Sequence, residues 1–300
     1  MYACRSLPEF LEKRIRGVLH VLDFLPRIQF GDYFEIFIDL LDQYLGWLFE
    51  GLSTIIRSTV DGFEGLLLFI PALFMIIAFT GLAYWLGKRN LAIFTFIGLL
   101  IIQFVDLWES AMATLALVLV SSLIALIVGI PIGILASRSE RADGIVRPVL
   151  DFMQTMPAFV YLIPAIILFE RGNVAGTIAT VIFAMPPVVR LTNLGIRQVP
   201  EDVMEAAKSL GSTSRQLLYK IQLPMALPTI LAGINQTIML ALSMVVIASM
   251  IGAGGLGSDV RAALSRVNIG YGFEAGIAVV MLAMIIDRIS QAIGKRTQQY

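Results

Sequence analysis

The sequence predicts an all-α, polytopic membrane protein of about seven transmembrane helices. An amphipathic helix precedes the first span, and a short helix-turn-helix interrupts the bundle on one side. Three observations carry this. Of 300 residues, 58% are hydrophobic and only 15% charged, whereas a soluble domain is nearer 25% charged and about half apolar. The apolar residues gather in runs of roughly the 20 residues that cross a hydrocarbon core. The basic residues lie mostly on one side of those runs. A soluble enzyme and a disordered chain are excluded. Basic and acidic residues balance at 22 each, so there is no net field for nucleic acid. Cys4 is the single cysteine and His20 the single histidine. No internal disulfide or cysteine metal cluster follows from these, and no metal site or catalytic residue is expected.

The first 65 residues form a tail. Glu9, Glu12, Asp23 and Pro26 break up any signal-peptide core, so none is expected. From Asp32 the chain turns periodic. Phe34, Phe37, Ile38, Leu41, Leu45, Leu48, Leu52 and Ile55 fall at helical spacing, with Asp39, Asp42, Gln43, Glu50 and Arg57 opposite. Such a helix lies in the membrane interface or packs on the spans. Seven apolar runs follow: Leu66–Leu86, Leu91–Val105, Met112–Leu135, Phe152–Phe169, Val174–Val189, Thr229–Ile251 and Ile277–Ile293. Pro157 and Pro164 predict a kinked fourth span whose freed carbonyls are satisfied by neighbouring helices. Residues 66–110 hold two accessory spans, and residues 111–295 the core.

An odd number of spans puts the termini on opposite sides. With the C-terminus inside, the inner segments 87–90, 136–151, 190–228 and 294–300 carry twelve Lys and Arg; the outer loops carry three. Positive charge marks the cytoplasmic side of short loops, so the expected orientation is N-out, C-in.

The loop 190–228 is the most informative. Pro200, Glu201 and Asp202 suit the first turn of a helix. Val203, Ala206, Ala207 and Leu210 share a face, and Gly211 stands where a helix ends. Ser212 or Thr213 caps a second short helix, which Leu223-Pro224 closes. Spacing alone leaves two readings open: a solvated connector, or a docking element for a cytoplasmic partner.

These residues also resemble a known motif. Glu205-Ala206-Ala207, then Gly211, then Ile221, Leu223 and Pro224 match, without a gap, the EAA loop of type I ABC importer permeases. The resemblance implies a coupling loop over residues 200–224, resting on a cytoplasmic ABC ATPase subunit. It further implies a homodimer in the bacterial cytoplasmic (inner) membrane. The stretch Asp151 to Pro164 looks like that of the glycine betaine/proline/choline permeases, which implies a quaternary-ammonium or related osmolyte as cargo. Some members of that branch fuse a binding domain after the last span. Tyr300 stands only a few residues past it here, so a separate extracytoplasmic substrate-binding protein is expected.

Gly252-Ala253-Gly254-Gly255-Leu256-Gly257 reads as a dinucleotide fingerprint, but that motif needs a preceding strand in a βαβ unit. A packed turn is expected instead. No Gly-rich loop ending in Gly-Lys-Ser/Thr occurs. This chain is therefore expected to bind no cofactor, with ATP used by the partner subunit. The spans hold almost no ionisable residue, against ion coupling. Asp287, beside Arg288, is the exception, and is expected to be paired or near the headgroups. Candidate path residues are Gln154, Thr155, Tyr161, Asn235, Gln236, Thr237, Ser243 and Met244, each of which also fits a plain helix-packing role. The rival function is an ATP-independent channel or secondary carrier.

Overall fold

The computed structural model describes residues 30–297, and the side chains of 31–294; the earlier tail, with Cys4 and His20, lies outside them. Every long element among the described residues is helical. The first, α1, spans Phe30–Phe69. The chain falls into two units, one ending at Leu45 and one starting at Gly46. Within the first, Tyr33, Phe34 and Phe37 are exposed. Within the second, Ile56 and Val60 are buried in a cluster with Tyr161, Phe169 and Val174. The Phe49 ring meets Phe169 edge-on at 5.2 Å. That part of the amphipathic helix packs on the bundle, one of its two expected placements.

Next come α2 (Ala72–Phe104), α3 (Trp108–Arg138) and α4 (Glu140–Thr155). A 3-10 turn at Ala158–Tyr161 leads into α5 (Leu162–Phe169), and α6 (Asn173–Ala184) follows. Then come α7 (Pro186–Arg197), α8 (Glu201–Ser209) and α9 (Ser214–Leu217). The chain ends with α10 (Leu223–Ala248), α11 (Leu256–Ser265) and α12 (Ile269–Thr297). Among the described residues, five segments are long and apolar enough to cross a membrane, or six if α4 and the Ala158–Phe169 segment count as one bent span.

Three departures from the sequence reading have physical causes. The runs Leu66–Leu86 and Leu91–Val105 fall largely in one helix, α2. Gly87 and Lys88 break it at the expected boundary, with Lys88 at φ 61°, ψ −160°. A straight rod would hold Ile76 and Leu99 roughly 35 Å apart, yet both belong to one buried cluster with Leu282 and Ile285. Secondly, the Val174–Val189 run continues as helix to Arg197. An apolar run marks the hydrocarbon slab, whereas a helix continues wherever packing supports it.

The third departure is the fourth span, which bends by 107°. Pro157 pushes Met156 out of the helical region, to φ −68°, ψ 136°. Pro157 also has no N–H to give the Met153 carbonyl. The Tyr161 hydroxyl donates to that carbonyl. The freed acceptor is thus met from within the segment, and not by a neighbouring helix as the sequence suggests. Pro164 sits in the first turn of α5, where a missing N–H costs little.

The centre of the second unit is α7, which packs against both α3 and α10. Glycines make the approach possible. A β-carbon on Gly129 would stand 2.6 Å from Val188 Cγ1. One on Gly133 would stand 2.7 Å from both Thr192 Cβ and the Val189 carbonyl oxygen. Gly129 and Gly133 thus form a small-xxx-small face against α7. On the other side, Gly233 of α10 lies against Leu191 and Val188. Val188 and Thr192 are completely buried.

Gly133→Val should therefore force α3 and α7 apart. The expected loss is about 1–3 kcal/mol, read as a lower midpoint in a detergent thermal-unfolding assay. Gly144→Ala, inside α4 where nothing lies within 4 Å, should not lower the midpoint and should raise it slightly.

Candidate coupling loop and translocation path

The loop after α7 is built as the sequence suggests. Pro200 precedes α8 as its N-cap residue, and Glu201 and Asp202 fill the first turn, where acids complement the helix dipole. At the other end Gly211 takes φ +80°. Its N–H donates to the Lys208 carbonyl at 2.9 Å, and Ser212 N–H to Ala207 at 3.1 Å. This is a Schellman motif, which needs a left-handed residue at Gly211. Thr213, not Ser212, caps α9: its Oγ1 accepts the Gln216 N–H at 3.3 Å, and Gln216 Oε1 accepts the Thr213 N–H at 2.8 Å. That reciprocal pair is a capping box.

A π-helical turn, Leu218–Gln222, joins α9 to α10, with Leu223 N–H reaching back to Leu218. Pro224, at the start of α10, has no N–H to continue the ladder, and a wider turn fits that gap. Ile221 and Leu223 are half-buried within it and Pro224 is exposed. On α8, Ala207 is buried while Glu205 and Ala206 are exposed. Val203 is also exposed, and Leu210 is 88% exposed. The small apolar face of α8 is left largely uncovered.

Directly behind this loop lies a polar cluster that the sequence reading did not single out. Arg197, in the last turn of α7, donates to Glu140 Oε1 at 2.6 Å, Asn193 Oδ1 at 2.9 Å and the Ala136 carbonyl at 3.1 Å. Asn193 Nδ2 donates to Asp143 Oδ1 at 2.6 Å. Arg147 and Arg197 both pair with Asp143 Oδ2, at 2.9 and 3.4 Å. Asp143 is only 5% exposed; buried carboxylates need such partners. Two turns along, Arg190 binds Asp151 at 2.6 Å. The first turn of α4 and the last turn of α7 are thereby tied together, three residues before α8 begins. Asn193, an amide among the apolar residues that follow Arg190, was the one available signal.

The candidate path residues separate into two sets. Gln154 and Thr155 are exposed, as are Gln236 and Ser243. Gln236, Met239 and Ser243 share one open face of α10, at i, i+3 and i+7. Tyr161, Asn235, Thr237 and Met244 turn inward. Tyr161 serves the Pro157 bend, and Met244 is fully buried. Asn235 Nδ2 donates to Asp287 at 3.3 Å, and Gln291 Nε2 donates to the same carboxylate at 2.9 Å. Asp287 is thus paired with amides, while Arg288 stacks over the Phe94 ring at 4.5 Å. The glycine cluster is a tight turn at the other end of α10. Gly252 and Gly255 take φ 93° and 83°. Asn173 Oδ1 accepts Gly254 N–H at 2.9 Å, and Thr114 Oγ1 accepts Leu256 N–H at 2.8 Å.

Residues 129–299 match the family described as "Binding-protein-dependent transport system inner membrane component". This chain belongs to that family. The permease is 52% identical over 272 residues to the glycine betaine transport system permease protein OpuAB of Bacillus subtilis, covering 91% of this chain and 96% of that one. It is 50% identical over 278 residues to the glycine betaine/carnitine transport permease protein GbuB of Listeria monocytogenes, covering 91% and 98%. Its fold resembles a chain of an inward-facing MetNI methionine ABC transporter, with a TM-score of 0.57 and 21% identity over 61% of this chain and 92% of that one. The protein is accordingly a type I ABC importer permease, a multi-pass protein of the bacterial cytoplasmic membrane. Its family is one of transport components, not of enzymes. Such a permease works with an ATPase and a substrate-binding protein. The ABC reading displaces the channel or secondary carrier.

Asp143→Ala would leave Arg197 and Asn193 without their shared acceptor. Arg197 is partly solvated, so the expected cost is about 2 kcal/mol, seen as a lower thermal midpoint. Asp143→Asn, which keeps one acceptor oxygen, should recover about half of it.

Proposed function

We propose that this permease imports glycine betaine or a closely related quaternary-ammonium osmolyte, such as choline or proline betaine. Two copies form the path between them. The observation that carries the cargo class is the identity of 50–52%, over nine-tenths of the chain, with permeases named for glycine betaine. The chemistry agrees. A zwitterion needs a path without strong fixed charge, and Asp287 is held by amides rather than standing free. Selection among osmolytes belongs to the separate extracytoplasmic binding protein.

In this reading the chain crosses the membrane seven times, N-out and C-in. The break at Gly87–Lys88 supports it, because it divides α2 where the two accessory spans of residues 66–110 are expected to meet. Residues 111–295 form the core. The open face of α10 with Gln236 and Ser243 is poorly suited to lipid and meets the second copy. ATP is bound by the ATPase, and this chain holds no cofactor. Glu205, Ala206, Ala207 and Gly211 form the docking helix and its end, with Ile221, Leu223 and Pro224 as the return into α10. The exposed Val203, Ala206 and Leu210 supply the apolar contact. Movement of α8 reaches the bundle through Arg197 and α7.

Gly211→Asp tests the coupling role. It would place a side chain at φ +80° and a negative charge at a helix C-terminus, both unfavourable. In proteoliposomes with the ATPase and the binding protein, uptake and substrate-stimulated ATP hydrolysis should be lost. Membrane insertion should be unchanged. Normal uptake by this variant would remove the docking assignment. For the cargo, calorimetry on the cognate binding protein should rank glycine betaine above carnitine and proline.

A further inference from the structure

Where α2 breaks, the chain leaves a cavity of about 810 Å³ between the break and the last turns of α12. Trp85, Lys88, Asn90, Asp287, Arg288 and Gln291 are among its lining residues. Nothing in the coupling or transport reading uses it. We propose that this cavity binds the phosphate headgroup of an anionic phospholipid.

The charge balance points to an anion. Two cations line the cavity, Lys88 and Arg288. Among the described residues neither makes an ion pair. The one carboxylate, Asp287, is already engaged by the amides of Asn235 and Gln291. Arg288 sits over the Phe94 ring at 4.5 Å, a contact that spends none of its N–H donors and leaves an edge of the guanidinium for a second partner. Such an edge matches two phosphate oxygens. Asn90 adds an amide donor.

The setting points to a lipid rather than a free phosphate. The cavity lies where apolar helix gives way to the polar turn Gly87–Asn90, the depth at which headgroups sit. Trp85, 65% exposed, is the residue type that favours this boundary. Leu82 before the turn and Ile93, Phe96 and Ile97 beyond it are exposed on the same helix, an apolar wall along which acyl chains run. A basic pocket between membrane helices is a headgroup site by chemistry alone.

Lys88 supplies a clean test, because its φ of 61° with ψ −160° suits glycine better than any side chain. Lys88→Gly removes the charge while easing the backbone, so lost binding cannot be blamed on misfolding. The permease, purified with its partner subunits in mild detergent, is examined by native mass spectrometry with added phosphatidylglycerol. Wild type should retain one such lipid per chain. Lys88→Gly and Arg288→Gln should each weaken retention roughly fivefold, with an unchanged thermal midpoint for Lys88→Gly. Equal retention by the double variant would overturn the site. So would equal retention of phosphatidylcholine by wild type. Glycerol 3-phosphate should not displace the lipid; if it does so at equal concentration, a free phosphate site replaces the lipid site.

Discussion

The contact of α7 with α3 on one side and α10 on the other is what the rest of this architecture depends on. It rests on the absence of side chains at Gly129, Gly133 and Gly233. In a hydrocarbon solvent, apolar side chains gain nothing by leaving lipid for protein. Association then relies on close van der Waals approach, and small residues provide it. Because the helices touch along their backbones, the end of α7 is fixed to within the tolerance of packed atoms. Arg197 can then reach Glu140, Asp143 and Ala136 at once, and α8 begins at a defined place. The position of the candidate coupling loop is thus set by glycines more than a turn deep in the bundle.

Much of this was legible in the sequence, for reasons that differ by residue. Gly211 at a helix end, and Pro200 with Glu201 and Asp202 at a helix start, are local rules written in adjacent residues, and the structure obeys them. The G-x-G-x-x-G cluster at Gly252 was separable from a dinucleotide loop because the element before it is a helix. The apolar runs located the spans. They did not locate the helix ends, since α7 continues to Arg197 after hydrophobicity has stopped. Its support there is packing and the Asp143 cluster, which a one-dimensional reading does not see.

The polar cluster shows where such reading runs out. Asp143, Asn193 and Arg197 are separated by 50 and 4 residues along the chain. Taken alone, Asp143 is an ordinary acid in a helix first turn and Arg197 an ordinary base in a last turn. Their meaning arises only once α4 and α7 lie side by side. The candidate path residues divide on the same ground. Asn235 and Gln236 are neighbours in sequence, yet one turns inward to Asp287 and the other lies on an open face. Helical geometry separates them by about 100°, and only the packing says which direction is which.

The bend after α4 has one more property. Its hydrogen bond is made between Tyr161 and Met153, both within the bent segment, so the corner does not borrow a donor from any other helix. A kink repaired by a neighbour anchors two helices to each other, and sliding them apart would strand a bare carbonyl in hydrocarbon. A kink that carries its own repair imposes no such tether. The corner's backbone is satisfied on its own, so what ties this segment to its neighbours is side-chain contact instead, at Asp143–Arg197 and Asp151–Arg190.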